Sequence, residues 1–382
     1  RSAFLPYLEE CFNEIFKLIE YPAATIRKAA VTSVGQMCVA LHKHFQQSNT
    51  EDSTGVPLMC QLVREDTDRT VAMTTLEVLS EMLKEIKTPV VAGEGHLDGI
   101  VTAVRDVLQT KTACQDDDDA EDDQQAEYDT MLIEYSGEVI PALAVAIPGQ
   151  QFAPFFAGFL PLLAARFKTT STDSERSFAV GTISEAIASM KAAVLPFVPH
   201  LYPILLQAVK DENDEVRSNG VYGLGVLAEH SGEALYQHYP AMLQTLSEVS
   251  TIAGQQRRVV DNMCGAVARL IMTNISAVPM DSVFPVLVGY LPLQDDFEEN
   301  TTVYKCVVHL YQAGHPQIQQ LLPQLLTAFA QVIGTTQINE EMQSALTAMV
   351  KDVHQKFPQD FTNVVSSLPP EQAEKLKLTA AS

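Results

Sequence analysis

The chain has 382 residues, of which 46% are hydrophobic and 19% are charged, and its formal net charge is −23 at pH 7. This negative balance argues against direct binding to nucleic acid or to an anionic membrane, and it favours basic partners. The alternative interpretation of the charge is that it only keeps a long surface soluble.

The six cysteines are scattered along the chain without a CxxC pair, which predicts reduced core thiols in a cytosolic or nuclear protein. The sequence shows neither a signal peptide nor an apolar run long enough to span a bilayer, so no membrane contact is predicted. Because the chain opens at Arg1 without an initiator Met, we expect a fragment of a longer array or a processed chain.

The first part of the chain predicts helices that alternate between an outer and an inner layer. Residues 4–20 form the first outer helix, and residues 25–44 form its inner partner. After a polar loop, 46–55, a second outer helix precedes an inner helix that runs to Lys87. Residues 96–110 form the third outer helix, and its inner partner follows an acidic stretch.

From residue 150 onward the predicted pairs are regular. Their outer helices carry prolines, which remove a backbone hydrogen bond and bend the helix. The tail after Pro369 predicts a polar capping helix. The predicted outer and inner partners are 152–167 with 173–190, 194–210 with 214–230, 233–249 with 255–273, 280–291 with 298–312, and 317–333 with 339–356.

One spacing rule relates the inner helices. Arg217 is followed by small or aliphatic residues three, six, seven, ten and fourteen positions later, which marks one face of a helix with about 3.6 residues per turn. The rule fits eight positions that lie 39 to 56 residues apart. A period near 40 with two helices per unit is typical of a HEAT-type solenoid. The eight positions are 27, 69, 125, 176, 217, 258, 300 and 339.

The predicted fold is therefore all-α: one HEAT-repeat α-solenoid of about eight antiparallel helix pairs with a C-terminal cap. Each repeat needs only its neighbours for stability, so a single array accommodates the whole chain. The predicted repeats are 1–45, 53–88, 93–147, 150–191, 193–231, 232–275, 279–314 and 315–357, and the cap is 358–382.

An acidic insertion at 115–124 lies between the outer and inner helices of the third repeat. Seven of the eight positions from 116 to 123 are acidic, and such a run repels itself and predicts disorder. It is a candidate for an arm that competes with or chaperones a basic cargo. Its acidic residues are Asp116, Asp117, Asp118, Asp119, Glu121, Asp122 and Asp123.

Three inner helices open with an Asp-x-x-Arg motif. A cation in the first turn of a helix opposes the helix dipole unless it is paired. Because two of the motifs lie 41 residues apart, stacked repeats would place each Arg beside the Asp of its neighbour. The motif therefore predicts a structural ladder between repeats, with a ligand site as the alternative. The ladder residues are Asp66, Arg69, Asp173, Arg176, Asp214, Arg217 and Arg258.

A row of carboxylates lies on the inner helices, opposite the face that the spacing rule predicts to be buried. Inner helices line the concave side of such arrays, so amide and phenol groups between these carboxylates suit a basic, extended peptide. The alternative is a merely solvated face. The candidate cargo-binding residues are Glu127, Glu134, Glu138, Glu185, Glu215, Asn219, Tyr222 and Glu229.

The sixth inner helix departs from this pattern, because its opposite face is apolar at Val260, Met263, Val267 and Leu270. Two alternatives follow: the helix is rotated in the stack, or it exposes an apolar patch for a partner. The spacing rule also fails once here, at Asp261.

The sequence contains no HExxH, GxSxG or Walker A motif, so no enzyme activity is predicted. His42 and His44 point to different faces of a helix, so no metal site is predicted there. The glycines at 220, 223 and 225 allow close helix packing and are not a dinucleotide-binding fingerprint. No cofactor is expected.

The helix from Asp211 to Glu229, together with the HEAT periodicity and the acidic insertion, resembles the importin-beta (karyopherin-beta) family of nuclear transport receptors, in particular their C-terminal half. The resemblance implies nuclear import of basic cargo, with core histones, histone chaperone complexes and ribosomal proteins as examples. In this family the GTPase Ran binds chiefly through N-terminal repeats, and Ran-GTP releases the cargo. Those repeats are missing here, so contacts with Ran and nucleoporins are expected through the full-length receptor.

We therefore predict a cargo-binding fragment of an import receptor that shuttles between cytoplasm and nucleus. It grips basic cargo through an acidic concave surface. The alternative is a HEAT-repeat scaffold subunit of a stable multiprotein complex, which would use a large apolar interface and show little sensitivity to salt.

Overall fold

The computed structural model describes residues 7–45, 55–115, 123–252 and 254–382, and within these ranges the chain is helical and contains no strand. The all-α class with paired helices is confirmed. The chain divides into two compact units, Arg1–Ala193 and Val194–Ser382. Whether the units continue as one array stays a prediction.

The described residues of the first unit form four helix pairs, in which the inner helices pack on one another in chain order. Helix α2 contacts α4, α4 contacts α6, and α6 contacts α8. The outer helices α3 and α5 form a second layer. The pairs are α1 (Leu8–Leu18) with α2 (Ala24–Phe45), α3 (Val56–Glu65) with α4 (Arg69–Glu85), α5 (His96–Leu108) with α6 (Asp123–Ala146), and α7 (Gly149–Ala164) with α8 (Asp173–Met190).

Local sequence explains how the inner helices of this unit begin and which face they bury. Asp68 caps α4, because its side chain accepts hydrogen bonds from the backbone N–H groups of Thr70 and Val71. Thr172 and Glu175 form a reciprocal capping box at the start of α8. The positions selected by the spacing rule in α4 are buried: Ala72, Thr75, Leu76, Leu79 and Leu83.

In the second unit the described residues form four pairs and a two-helix cap. The inner helices again pack successively, α10 on α13, α13 on α15, and α15 on α17. The helices are α9 (Val198–Ala208), α10 (Asp214–Ser231), α11 (Glu233–Tyr236), α12 (Tyr239–Ser250), α13 (Arg257–Asn274), α14 (Met280–Gly289), α15 (Glu299–Gln312), α16 (Pro316–Val332), α17 (Glu340–Lys356), α18 (Pro358–Ser367) and α19 (Pro370–Ala381).

Helix α13, the sixth inner helix, is buried on both faces. Every residue from Val259 to Ile271 is buried, and the four apolar side chains opposite the spacing-rule face are at most 8% exposed. The alternative of an apolar patch exposed on this helix is therefore wrong, although Met263 and Val267 line a groove to which the neighbouring helices also contribute. Its neighbours α10 and α15 cover the helix from two sides.

The exception to the spacing rule at Asp261 has a structural cause. Its carboxylate oxygen Oδ2 accepts hydrogen bonds from the backbone N–H groups of Gln294, Asp295 and Asp296, at 3.0, 2.7 and 2.9 Å. Asp261 thus satisfies three donors in the turn that leads to α15. A buried carboxylate is tolerated at this apolar position because its Oδ2 accepts three backbone hydrogen bonds.

Several predicted boundaries differ from the structure. The outer helix predicted at 233–249 is divided into α11 and α12, because Pro240 lies in the first turn of a new helix, where its missing N–H has no consequence. The inner helix α6 contains Pro141, so interior prolines are not confined to outer helices. The cap contains two helices instead of one.

The predicted acidic insertion lies mostly outside the described residues. Its two edges are helical: Gln115 ends a 3₁₀ turn, and α6 begins at Asp123. Disorder over the full range 115–124 is therefore wrong at both ends, because each neighbouring element extends into it.

Residues 173–208 have the length and apolarity of a membrane-spanning helix, contrary to the expectation from sequence. Half of their most apolar window is buried inside the protein. The stretch is also divided into α8, a 3₁₀ turn and α9. Its apolar residues include core positions such as Ile183, Ile187, Leu201 and Leu205, so packing accounts for the apolarity.

Candidate functional site

Ion pairs join the ends of neighbouring inner helices in the first unit. Arg27 of α2 bonds Asp66, which lies immediately before α4, at 2.7 and 2.8 Å. Arg69 of α4 bonds Asp129 of α6 at 2.7 Å. Asp66 of the Asp66–Arg69 motif therefore pairs with a residue of the preceding repeat, while Arg69 pairs with a residue of the following one. Both ion pairs thus join neighbouring repeats.

The other Asp-x-x-Arg motifs pair within their own helix. Arg176 donates to Asp173 at 2.9 Å in α8, and Arg217 bonds Asp214 in α10. Arg217 also reaches the next repeat, where it donates to the side chain of Gln255 at 3.2 Å. Arg258 of the inner helix α13 forms a further ion pair, in which its Nε lies 3.7 Å from Oδ2 of Asp296.

The candidate carboxylates of the first unit are all exposed. Glu127, Glu134 and Glu138 lie on α6 at spacings of seven and four residues, so they share one face of that helix. Glu138 also lies 3.9 Å from Lys84 of α4, an exposed pair that contributes little stability. Glu185 is exposed on the neighbouring inner helix α8. The unit therefore presents carboxylates on two adjoining inner helices.

The candidate residues of the second unit form one face of α10. Glu215 and Glu229 are exposed, while Asn219 and Tyr222 between them are partly buried. Asn213 caps the helix by accepting hydrogen bonds from the backbone N–H groups of Glu215 and Val216. The cap fixes where the helix begins, and the helical period then places the four side chains in line.

Arg269 of α13 brings two of these residues together. Its Nε donates to Glu229 at 3.2 Å, and its guanidinium carbon lies 5.3 Å from the centroid of the Tyr222 ring. Its two terminal nitrogens donate to the carboxylate of Glu299 on α15, at 2.7 and 3.0 Å, and one of them also reaches Thr302 at 3.3 Å. Tyr222, Glu229, Arg269, Glu299 and Thr302 are called the Arg269 cluster below.

The Arg269 cluster depends on close helix packing. Arg269 and Glu299 are buried, and a Cβ atom at Gly265 would overlap Oε2 of Glu299. Gly225 of α10 faces α13, where a Cβ atom would lie 2.8 Å from the Cα of Ala266. Small residues at these two positions therefore let three helices approach closely enough for one guanidinium to contact two carboxylates.

Arg269 stays positively charged although it is buried. Burial acts to lower its pKa, but the hydrogen bonds and the negative charge of Glu299 outweigh burial and leave the pKa above its ordinary value. Arg269 neutralises one of its two carboxylate partners, so the cluster keeps one net negative charge. Glu229, a candidate cargo-binding residue, is consequently paired with a cation of the protein itself.

An apolar groove of about 410 Å³ lies in the second unit among α12, α13 and α14. Met263 and Val267 of α13 line it together with Leu243 of α12 and Val286 of α14. No charged residue of the described ranges lines the groove, and Val286 is 52% exposed. The groove offers a site for apolar side chains of a partner.

Comparison with known proteins extends the resemblance over the whole chain. The HEAT repeat family matches residues 201–231, which include α10. The chain is 40% identical to importin-4 of Homo sapiens over 98% of its length, and 30% identical to the probable importin subunit beta-4 of Schizosaccharomyces pombe over 96%. The crystal structure of Kap121p shares the fold, with a TM-score of 0.75 over 99% of this chain and 35% of that one, at 15% identity.

This chain belongs to the importin-beta family. The resemblance predicted from the helix at Asp211–Glu229 is confirmed. The chain spans 36% of the length of human importin-4, so it corresponds to about a third of such a receptor.

Two features of this importin-beta family chain were not predicted from the sequence. Arg269 was overlooked because the opposite face of α13 was defined by its apolar residues. A signal was present, since Arg269 follows Glu229 by 40 residues, which is one repeat period. The apolar groove cannot be predicted from one helix, because α12 and α14 contribute lining residues as well as α13.

Proposed function

We propose that this chain is the part of a nuclear import receptor that binds basic cargo, through carboxylates on the inner helices of each unit. The observation that carries the proposal is the exposure of Glu127, Glu134 and Glu185 in the first unit and of Glu215 in the second. The relatives of the chain are named importins, and a binding role, not a catalytic one, accords with this.

Cargo affinity in this proposal comes from many weak contacts. An exposed ion pair contributes only about 0.2–1 kcal/mol, so no single carboxylate dominates. Salt screens such pairs over a distance of about 8 Å at physiological ionic strength, and binding should weaken as salt is added. A stable scaffold that associates through apolar surface would not show this dependence.

The cargo that fits this surface is an extended segment rich in lysine and arginine, as in the tails of core histones and in ribosomal proteins. Kap121p, which shares the fold at 14% identity, has been solved with the extreme C-terminus of the phosphatase Cdc14p. A terminal peptide is the kind of ligand that a row of inner-helix side chains accommodates. We extend this mode of binding to the present chain as part of the proposal.

We also propose that the apolar groove contacts a nucleoporin and that Ran-GTP acts through the full-length receptor. Kap121p has been solved bound to Nup53p and to RanGTP, with TM-scores of 0.74 and 0.54 to this chain. A groove without charged lining suits apolar nucleoporin side chains. Shuttling between cytoplasm and nucleus follows from these contacts.

Charge reversal tests the cargo proposal. The double substitution Glu127→Lys and Glu215→Lys should weaken binding of a histone-tail peptide at least about tenfold, because each change replaces an attraction by a repulsion. The matched control is Glu248→Lys with Glu10→Lys, which changes the net charge equally but on the outer helices α12 and α1. Unchanged affinity of the inner-helix variant at physiological salt would contradict the proposal.

A further inference from the structure

We propose that Arg269 is a specificity-determining residue, and that it makes Glu229 accept a lysine ammonium in preference to an arginine guanidinium. The inference rests on the proposed function and deepens it, because it assigns the kind of basic side chain that one carboxylate accepts. It follows from how the hydrogen bonds of the Arg269 cluster are distributed.

The guanidinium of Arg269 lies against one of the two oxygens of Glu229. Its Nε donates to Oε2 at 3.2 Å, and no hydrogen bond from a described residue reaches Oε1. The Glu229 side chain is 45% exposed. Glu229 therefore offers a ligand one oxygen, Oε1, that is clear of a neighbouring cation, whereas the guanidinium of Arg269 lies against Oε2.

The chemistry of the two cationic side chains differs at such an acceptor. A guanidinium binds a carboxylate best through two parallel N–H···O bonds, which require both oxygens. An ammonium is a compact point charge that needs a single oxygen. A cargo arginine could complete its pair of bonds to Glu229 only at Oε2, where it would meet the guanidinium of Arg269, a like charge. A cargo lysine is repelled by Arg269 as well, but it needs only Oε1 and does not have to approach Oε2.

Arg269 cannot move aside to release the second oxygen. The side chain is 9% exposed, and it is held by two hydrogen bonds to Glu299, whose own side chain is 5% exposed. A Cβ atom at Gly225 would lie 3.5 Å from its Cδ, so α10 packs directly against the stem. Withdrawing Arg269 would leave Glu299 as an unpaired buried charge, which is strongly unfavourable.

The same helix carries a natural control. Glu215 lies on α10 in line with Glu229 and is exposed, and no ion pair joins its side chain to a described residue. Both of its oxygens are therefore open to a ligand, and it should accept lysine or arginine. The structure thus predicts two carboxylates on one helix with different selectivity.

The test compares two peptides that are identical except that every basic position is Lys in one and Arg in the other. Fluorescence anisotropy gives the Kd of each for the wild-type chain, for Glu229→Gln and for Glu215→Gln. Glu229→Gln should lower the affinity of the Lys peptide about threefold and change that of the Arg peptide less, since one exposed pair is lost. Glu215→Gln should weaken both peptides to a similar extent.

A core variant makes the test specific to Arg269. Replacing both members of the buried pair, Arg269→Met with Glu299→Met, leaves no unpaired charge and frees Glu229. The ratio of the two Kd values should then shift towards the Arg peptide. An unchanged ratio, or equal effects of Glu229→Gln on both peptides, would overturn the inference. If neither peptide binds the wild-type chain, the proposed function itself is contradicted, and this inference with it.

Discussion

Arg27 donates two hydrogen bonds to Asp66, at 2.7 and 2.8 Å, and so ties the second helix of one repeat to the start of the second helix of the next. Asp66 also accepts a hydrogen bond from the backbone N–H of Asp68, which caps α4. Arg27 in turn donates to the backbone carbonyls of Tyr21 and Pro22, at 2.9 Å. One largely buried pair thus fixes two turns as well as two helices.

Removing Asp66 should therefore destabilise the first unit substantially. Asp66→Ala leaves the Arg27 guanidinium, whose side chain is 14% exposed, without its carboxylate, at an expected cost of about 3 kcal/mol. Urea denaturation followed by circular dichroism measures the loss. Glu14→Gln removes the exposed pair with Lys17 and should change stability by less than about 0.5 kcal/mol. Equal effects of the two substitutions would contradict the role of Asp66.

Gly265 is expected to tolerate no side chain. In Gly265→Ala the new Cβ atom overlaps Oε2 of Glu299, so the Arg269 pair must shift, and we expect a loss of about 1–3 kcal/mol. Gly158→Ala in α7 is the matched control, because a Cβ atom there meets no atom within 4 Å. That change should stabilise by about 0.5–1 kcal/mol, since alanine favours a helix interior. Thermal denaturation of both variants gives the comparison.

Asp261 is expected to hold the turn before α15 in place. Asp261→Ala leaves the backbone N–H groups of residues 294–296 without their acceptor, and we expect a loss of about 1–3 kcal/mol because hydrogen bonds to a charged acceptor are lost. Hydrogen–deuterium exchange should show faster exchange at these three amides while those in α17 keep their protection. Unchanged exchange at 294–296 would show that the carboxylate is dispensable there.

Tyr311 and Asp352 should make stability depend on pH in a defined window. The Tyr311 hydroxyl donates to Asp352 at 2.6 Å; this hydrogen bond and that of Lys356 lower the pKa of Asp352. A lowered pKa means that the stabilisation is complete above the unfolded value, about 3.9, and is lost as the pH falls through the folded value. Burial and the same contact raise the pKa of Tyr311, so its contribution is present below about 10 and is lost as the pH rises through the folded value.

Tyr311→Phe tests this window. At pH 7 the variant should be less stable by about 1 kcal/mol, the value of one hydrogen bond to a charged group that is partly exposed. The difference between wild type and variant should shrink as the pH is lowered below about 4. Urea midpoints measured between pH 7 and pH 2.5 provide the check, and a constant difference over this range would be contrary to the prediction.

The helix pairs were predictable because the signal is local. The 3.6-residue period and the Asn213 cap determine α10, which begins at Asp214 as predicted and ends one residue later than expected. The division of the sixth outer helix was harder to predict, because Pro240 fits the interior of a bent helix as well as the first turn of a new one.

The candidate site was predictable only in part. Exposure of Glu215 and Glu229 follows from helical geometry, since both lie opposite the buried face. The pairing of Glu229 with Arg269 depends on packing among three helices, whose contacting residues lie 40 and 30 positions apart in sequence. No pattern within one helix contains that information, although the 40-residue offset between the two residues points to it.

Zero-length cross-linking tests the central claim most directly. A carbodiimide joins a cargo lysine only to a carboxylate in direct contact, and mass spectrometry then identifies the acidic residue. With a lysine-rich histone-tail peptide, we predict cross-links at Glu127, Glu134, Glu185 and Glu215, on the inner helices. Cross-links confined to acids of the outer helices, such as Glu10, Asp98 and Glu248, would contradict the account.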